Sequence, residues 1–187
     1  MFVIPGFKES VRDADYTSLK KFFERKGYCV KLVPITWNYR TMTDYIQQFE
    51  DFYSKHKTEK NHVLGFSYGA VIAFSSAEKL GVDRLYLCSL SPDFCEDVTD
   101  IQEWMKKYIG VRRLKDCLGR SGRELAKRLS VPTVILYGDK EAIDFPKIKI
   151  RAIETKELAK NVKVIEVEGA PHDISFPAYR ETIEQMF

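Results

Sequence analysis

Short apolar runs alternate along the chain with longer stretches in which apolar residues recur every three or four positions. Six runs predict strands, at residues 1–4, 28–35, 62–66, 84–90, 133–137 and 162–167. Helical spacing occurs around Leu19, Phe22 and Phe23, from a Thr41 or Thr43 cap to Tyr53, at 68–80, between 146 and 160, and after Pro177. The run at 84–90 is too uniformly apolar for a sheet with one face in water, and this is typical of parallel strands. The alternation predicts an α/β fold with a mostly parallel six-stranded sheet and helices on both faces.

Residues 91–130 interrupt this alternation with two consecutive helical patterns. The first pattern is formed by Ile101, Trp104, Met105 and Tyr108, and the second contains Leu125 and Leu129. The 187 residues fit one domain by length. We therefore expect a single domain over 1–187 with a small helical cap inserted at about 91–130.

One pentapeptide stands at a junction between a predicted strand and a predicted helix. Gly65-Phe66-Ser67-Tyr68-Gly69 has the pattern GxSxG, which in that context forms a nucleophile elbow that exposes a serine hydroxyl. The glycines are needed because side chains at those positions would collide with neighbouring elements. The alternative is a Gly-Ser turn that only joins strand to helix, so the rest of the chain must decide.

A nucleophilic serine needs a base, and the base needs a group that orients it. Among the three histidines, His172 alone follows a predicted strand on a loop, whereas His56 lies in a charged run and His62 begins a strand. The loop after the strand at 133–137 carries Asp139 and Glu141. Asp144, close behind, and Asp93, after the preceding strand, are further candidates for the acid. The order serine, acid, histidine along the chain is that of α/β-hydrolases.

With these motifs, the chain resembles a small member of the α/β-hydrolase fold superfamily, in a reduced version. The resemblance covers most of the chain, with 91–130 corresponding to the variable cap. It favours Glu141 as the acid, three residues after Gly138, and leaves Asp139 as the alternative. The family's first loop carries a His-Gly pair, where this chain has Pro5-Gly6. The resemblance implies that the backbone N–H groups of Phe7 and Tyr68 form the oxyanion hole.

These residues predict a serine hydrolase that cleaves a carboxylic ester or thioester through an acyl-enzyme on Ser67. We expect no metal and no organic cofactor. An acyltransferase or amidase using the same three residues is an alternative within enzymes. A non-catalytic hydrolase-fold protein that binds a ligand in the same cleft is an alternative of another class, since fold does not determine function.

Composition and charge add expectations about compartment and partners. The composition is that of an ordinary globular protein, and no basic n-region with a long apolar run, or other membrane-spanning stretch, is present. Four cysteines without CxxC spacing favour reduced thiols and a cytoplasmic protein. Residues 106–128 contain nine basic and two acidic side chains, although the net charge of the chain is only +3. This excess is consistent either with an anionic small-molecule substrate or with a solvated helix face, while the absence of interleaved aromatics argues against nucleic acid.

Overall fold

The computed structural model describes residues 1–98, 106–107 and 109–187. Six strands form one sheet in which every neighbouring pair is parallel, in the order β2-β1-β3-β4-β5-β6. The strands are β1 Phe2–Ile4, β2 Lys31–Leu32, β3 His62–Phe66, β4 Arg84–Cys88, β5 Thr133–Gly138 and β6 Val162–Val167. The predicted fold class is confirmed.

Helices connect the strands and cover the sheet. They are α1 Ala14–Arg25, α2 Met42–His56, α3 Tyr68–Leu80, α4 Cys95–Val98, α5 Val111–Leu118, α6 Gly122–Arg128, α7 Asp139–Asp144, α8 Pro146–Leu158 and α9 Pro177–Gln185. Thr41, the first of the two predicted caps, precedes α2, and its N–H donates to Asp44 Oδ2 at 2.8 Å. Pro177 occupies the first turn of α9, where its missing N–H costs nothing.

Two apolar cores lie on opposite faces of the sheet. Side chains of α2, α3 and α8 form one core, with Tyr45, Phe49 and Ile148 among them. Side chains of α1 and α9 form the other, with Phe23 and Tyr179 among them. Because both faces are covered, the central strands are buried along almost their whole length, which explains their uninterrupted apolar sequence.

Strand β2 is much shorter than the run at 28–35 predicted. Only Lys31 and Leu32 are paired, and their partners are Phe2 and Val3 of β1. β2 lies at one edge of the sheet and pairs only with β1, which has three residues, so the short partner limits the length of the ladder. Pro34 follows and has no N–H to continue the pairing. The prediction of a long second strand was therefore wrong in extent.

The strand order reverses direction beside β1. The chain passes from β1 to β2 on one side and then returns to β3 on the other side of β1. In open parallel sheets the crevice at such a switch point, at the carboxyl ends of the strands, is the usual ligand site. The loop after β1 and the turn after β3 both lie at this point.

Within the inserted stretch, the described residues form α4, α5 and α6. The second predicted pattern corresponds to α6, which contains Leu125 and ends one residue before Leu129. Ile101, Trp104, Met105 and Tyr108 lie outside the described residues. The role of 91–130 as a cap stays a prediction.

Candidate active site

Ser67 lies between β3 and α3 in a backbone conformation that side chains rarely adopt. Its φ and ψ are 55° and −117°. Such a strained residue persists only where its surroundings hold it, and strain of this kind is concentrated at functional sites. The Ser67 N–H donates to Cys88 O at 2.8 Å, which anchors the turn to β4.

Two glycines allow this turn to close. A Cβ on Gly65 would lie 2.1 Å from Gly69 O, and a Cβ on Gly69 would lie 2.3 Å from Ile4 O. Both obstacles are backbone atoms, so a rotamer change cannot relieve the collision. The structure therefore explains the spacing of the pentapeptide by close approach of β3, α3 and β1.

We expect Gly65→Ala to destabilise the fold by about 3 kcal/mol or more, because the added methyl must displace the backbone of α3. The measurement is the free energy of unfolding in urea. Gly81→Ala is the matched control, because Gly81 has φ of 59° but open space around its Cβ position, so only the left-handed backbone penalty of about 1–2 kcal/mol applies. Equal costs for the two variants would contradict the steric explanation.

His172 connects Ser67 to Glu141 by two hydrogen bonds. His172 Nε2 lies 2.9 Å from Ser67 Oγ, and His172 Nδ1 lies 2.8 Å from Glu141 Oε1. The three side chains come from the turn after β3, helix α7 after β5 and the loop after β6. The imidazole also lies between two aromatic rings, with centroid distances of 5.0 Å to Phe66 and 6.0 Å to Phe145, which restrict its orientation.

The hydrogen-bond pattern around Glu141 determines the tautomer of His172. Glu141 is fully buried, and its Oε2 accepts from Ser89 Oγ at 2.8 Å and from Gly138 N at 3.0 Å. A carboxylate that accepts two bonds at one oxygen is suited to accept a third at the other, so Nδ1 of His172 carries the proton. Nε2 is then free to accept the Ser67 hydroxyl proton.

The segment from Gly138 to Glu141 packs closely against the loop that carries Ala170 and His172. A Cβ on Gly138 would lie 2.0 Å from Ala170 O, and the N–H of Glu141 donates to that same oxygen at 3.2 Å. Gly138 is therefore needed for the loop that carries His172 to approach Glu141. Residue 170 stands two positions before the histidine, so this contact sets the distance between base and acid.

The other candidate carboxylates make different contacts. Asp139 Oδ1 accepts from the N–H of Lys140 at 2.6 Å, and Asp144 is exposed. Asp93 pairs with Arg120, whose Nη1 lies 3.2 Å from Asp93 Oδ2. Burial raises the pKa of Asp93 to about 7, against the opposing effect of the Arg120 guanidinium. Of these candidate carboxylates, Glu141 is the one that hydrogen-bonds to His172.

The remaining two histidines lie away from Ser67. His56 Nδ1 is 2.8 Å from Phe52 O within α2, and His62 begins β3 at the opposite end from the serine. Both positions agree with the sequence-based reason for setting these residues aside.

Two buried groups that the sequence analysis missed hold Glu141 in place. Ser89, with φ of 55°, donates to Glu141, so in its 2.9 Å contact with Tyr179 the Ser89 oxygen accepts from the Tyr179 hydroxyl. Burial and the nearby Glu141 charge raise the pKa of Tyr179, so its hydroxyl stays protonated. Ser89 lies inside the run predicted as a strand at 84–90, and nothing in the sequence singles out Tyr179 within its helix, so the sequence pattern identified neither residue.

Ser91 is a third missed residue and touches the candidate nucleophile directly. Its Oγ lies 3.1 Å from Ser67 Oγ, and the residue is buried. Since Ser67 donates to His172, the Ser91 hydroxyl must be the donor in this pair. Ser91 follows β4 at the same sheet edge, which is the signal that could have identified it.

Glu9 organises the loop after β1, where the sequence lacks the histidine of the first-loop motif. Glu9 Oε2 accepts from the N–H of Gly6 at 2.6 Å and from the hydroxyl of Tyr16. Burial, followed by the Glu9 charge, raises the pKa of Tyr16, so that hydroxyl remains a donor. The next residue, Phe7, packs its ring 5.1 Å from the ring of Tyr68, which begins α3. The two predicted oxyanion residues are thus adjacent.

Comparison with solved structures supports the architecture. Mouse alpha/beta hydrolase domain-containing protein 10 superposes with a TM-score of 0.84 at 13% identity, over 99% of this chain and 86% of that one. The chain has the α/β-hydrolase fold. Est1E from Butyrivibrio proteoclasticus gives a TM-score of 0.74 at 14% identity, over 99% of this chain and 87% of the other. An esterase from Pyrococcus furiosus, Pf2001, gives 0.72 at 16% identity, over 99% and 79%.

The resemblance inferred from the motifs is therefore confirmed at the level of the hydrolase fold, which extends over nearly the whole chain. The sequence matches no protein-family model and no curated protein. At these identities the likeness establishes the fold, and the chemistry has to be argued from the site itself.

The described residues offer neither a metal site nor a membrane-spanning helix. Within residues 1–98, 106–107 and 109–187, no group of three or more His, Cys, Asp or Glu side chains is placed to hold a metal ion. No helix among the same residues has the length and apolar character needed to cross a membrane.

Proposed function

We propose that the protein is a serine hydrolase that cleaves a carboxylic ester or thioester through an acyl-enzyme on Ser67. The observation that carries the proposal is the continuous hydrogen-bond chain from Glu141 through His172 to Ser67, at 2.8 and 2.9 Å. It ends on a hydroxyl held in a strained turn at the sheet's switch point. The esterases among the structural neighbours are consistent with this chemistry.

In the proposed reaction, Ser67 Oγ attacks the acyl carbon while His172 Nε2 takes the hydroxyl proton. The tautomer derived above leaves Nε2 as the acceptor, so no rearrangement precedes this step. The imidazolium then gives its proton to the leaving alcohol or thiol. Water, activated by the same nitrogen, attacks the acyl-enzyme and restores Ser67.

Glu141 would stabilise the imidazolium that forms in each half of the reaction. The carboxylate is fully buried, and Ser89 and Gly138 satisfy one of its oxygens. In such a site the attraction between the carboxylate and the imidazolium is weakly screened by solvent. The hydrogen bonds from Ser89 and Gly138 also fix the carboxylate, so it need not reorient when His172 becomes charged.

The backbone N–H groups of Phe7 and Tyr68 are the proposed donors to the tetrahedral oxyanion. Tyr68 is the first residue of α3, so its N–H has no acceptor within the helix and lies at the positive end of the helix dipole. Glu9 holds the preceding turn through Gly6, which limits the freedom of the Phe7 amide. Two such donors are the usual requirement for stabilising an acyl-transfer intermediate.

The direct test combines covalent labelling with turnover. We expect one equivalent of a fluorophosphonate probe to label the folded protein at Ser67, as located by mass spectrometry. The unlabelled protein should hydrolyse 4-nitrophenyl butyrate, and this activity should fall in proportion to the fraction of protein that is labelled. Folded protein that neither reacts with the probe nor turns over the ester would contradict the proposal and favour the non-catalytic binding alternative.

Hydrolysis and acyl transfer can be separated in the same assay. Adding a primary alcohol or a thiol accelerates 4-nitrophenol release when deacylation is rate-limiting and the acceptor competes with water. For a hydrolase, we expect the carboxylic acid to remain the main product. An ester or thioester of the added acceptor as main product would assign transferase activity instead.

A further inference from the structure

A cationic cleft of about 570 Å³ opens beside the candidate active site. It lies among the loop after β1, the loop after β2 and the beginning of α5. Its lining contains four basic and no acidic side chains: Lys8, Trp37, Asn38, Tyr39, Arg40, Ile109, Gly110, Val111, Arg112 and Arg113. We call it the basic cleft.

The positive charge of the basic cleft is only partly neutralised. Arg112 Nη2 lies 3.2 Å from Asp44 Oδ2, and Arg112 Nη1 donates to Tyr39 O at the same distance. Arg113 Nε donates to Arg40 O at 3.2 Å. Among the described residues, no carboxylate lies within ion-pair distance of Lys8, Arg40 or Arg113. Within the part of the chain that the structure describes, Asp44 is therefore the one carboxylate in ion-pair contact with the four cations of the basic cleft.

The side chain of Phe7 lies between the basic cleft and the elbow and contacts residues of both. The Arg113 guanidinium lies 5.1 Å from the centre of the Phe7 ring, and Lys8 Nζ lies 5.3 Å from it. The same ring contacts Trp37 at 5.6 Å and Tyr68 at 5.1 Å. A single aromatic ring thus separates the cations from the elbow that carries Ser67.

Exposed apolar side chains stand at the rim of the basic cleft. Tyr39 is 91% exposed with φ of 57°, and Val111 is 84% exposed. The hydrogen bond from Arg112 holds the backbone of Tyr39 in this unusual conformation. The rim therefore presents an exposed aromatic ring to solvent near the Arg112 guanidinium, and such a ring is suited to contact the apolar part of a charged ligand.

We propose that the basic cleft binds a phosphate group on the leaving-group part of the substrate, so that the preferred substrates are esters or thioesters of phosphorylated alcohols or thiols. This inference rests on the proposed function, because it treats the cleft as an extension of the Ser67 site. Arginine presents donors in a planar fork that matches phosphate oxygens, and three of the four cations are arginines. The volume is that of an ordinary small-molecule site.

The experiment compares two thioesters that are identical at the bond to be cleaved. Butyryl-4′-phosphopantetheine carries a phosphate and butyryl-pantetheine does not. At about 20 mM salt we expect kcat/KM for the phosphorylated thioester to exceed that of the other at least tenfold, within the range of electrostatic steering. The ratio should fall towards one at about 300 mM salt, where the Debye length shrinks from roughly 20 to 6 Å.

Variants then assign the preference to the basic cleft. In Arg40→Gln with Arg112→Gln, the ratio of the two kcat/KM values should fall to about one at low salt. Lys127→Gln is the matched control, because Lys127 is an exposed cation of the same inserted stretch that does not line the cleft and pairs with Glu124 instead. We expect this control to keep the wild-type ratio. A wild-type ratio near one, or an equal drop in both variants, would overturn the proposal.

Binding separates this inference from the proposed chemistry. Should neither thioester be hydrolysed, calorimetric titration of the wild-type protein with phosphopantetheine and with pantetheine still tests the basic cleft. Phosphate-dependent binding that is lost in the double variant would support the basic cleft as a phosphate site, and the absence of turnover would count against the proposed hydrolase function. Equal binding of phosphopantetheine and pantetheine would overturn the proposal that the basic cleft binds phosphate. Charge-dependent binding to anionic lipid vesicles without any phosphopantetheine preference would also overturn it, in favour of a membrane-surface site.

Discussion

Ser67→Ala is expected to lower the rate of acyl transfer to 4-nitrophenyl butyrate by roughly three to six orders of magnitude. The substitution removes the attacking oxygen and leaves His172 Nε2 without its hydrogen-bond donor, while the backbone of the elbow is unchanged. Unfolding in urea should show little change, because Ser67 makes its anchoring bond to Cys88 through its backbone N–H. The measurement is burst and steady-state release of 4-nitrophenol.

Ser91→Ala is the matched control for this prediction. Ser91 places a second buried hydroxyl 3.1 Å from Ser67 Oγ, so a reaction at Ser91 is the nearest alternative to the proposed one. Because the Ser91 hydroxyl only donates to Ser67, we expect its loss to change kcat by less than about tenfold. Activity that survives Ser67→Ala and disappears in Ser91→Ala would transfer the role of nucleophile to Ser91.

The central sheet could be predicted because its strands are buried on both faces. In β3 and β4 the apolar runs extend along almost the whole strand, so their position follows directly from the sequence. Strand β2 lies at the edge and pairs with only two residues of β1. Its length depends on the short partner strand β1, about which an apolar pattern contains no information. It also depends on Pro34, which is visible in the sequence and argues against a strand that continues to residue 35.

The candidate site could be predicted from the sequence because each of its three residues follows a predicted strand. Ser67, Glu141 and His172 follow β3, β5 and β6, and parallel strands bring such residues to one edge of the sheet. The choice of Glu141 over Asp139 depended on the resemblance, since spacing alone left both open. The structure adds a reason: the glycine before α7 lets Ala170 O approach, which turns Glu141 rather than Asp139 towards His172.

The supporting residues could not be found from sequence in the same way. Tyr179 reaches the site from the first turn of α9, 90 residues after Ser89, and only tertiary packing brings the two hydroxyls together. The basic cleft combines Lys8 and Arg40 with the cations of α5, so the charge of the inserted stretch was visible in the sequence but the cleft was not.

Glu141→Gln is expected to reduce kcat by about two to four orders of magnitude while Ser67 and His172 remain in place. The amide cannot satisfy the surrounding donors in either orientation. With its oxygen towards His172, its NH₂ faces the donors Ser89 Oγ and Gly138 N–H, which both point at Oε2. With its NH₂ towards His172, Nδ1 must accept, Nε2 then carries the proton, and the imidazole no longer accepts the proton of Ser67.

Asp139→Asn tests whether this effect is specific to Glu141. Asp139 lies two residues away in the same helix, and its side chain accepts a hydrogen bond from Lys140 N, so the same chemical change there should alter kcat less than about threefold. The two variants are compared by single-turnover kinetics, with folding checked by thermal unfolding. A large loss in Asp139→Asn with a small one in Glu141→Gln would move the role to Asp139. Two small losses would show that neither carboxylate stabilises the imidazolium, because a buried acid hydrogen-bonded to the base at 2.8 Å cannot be neutralised without cost if that base becomes charged during turnover.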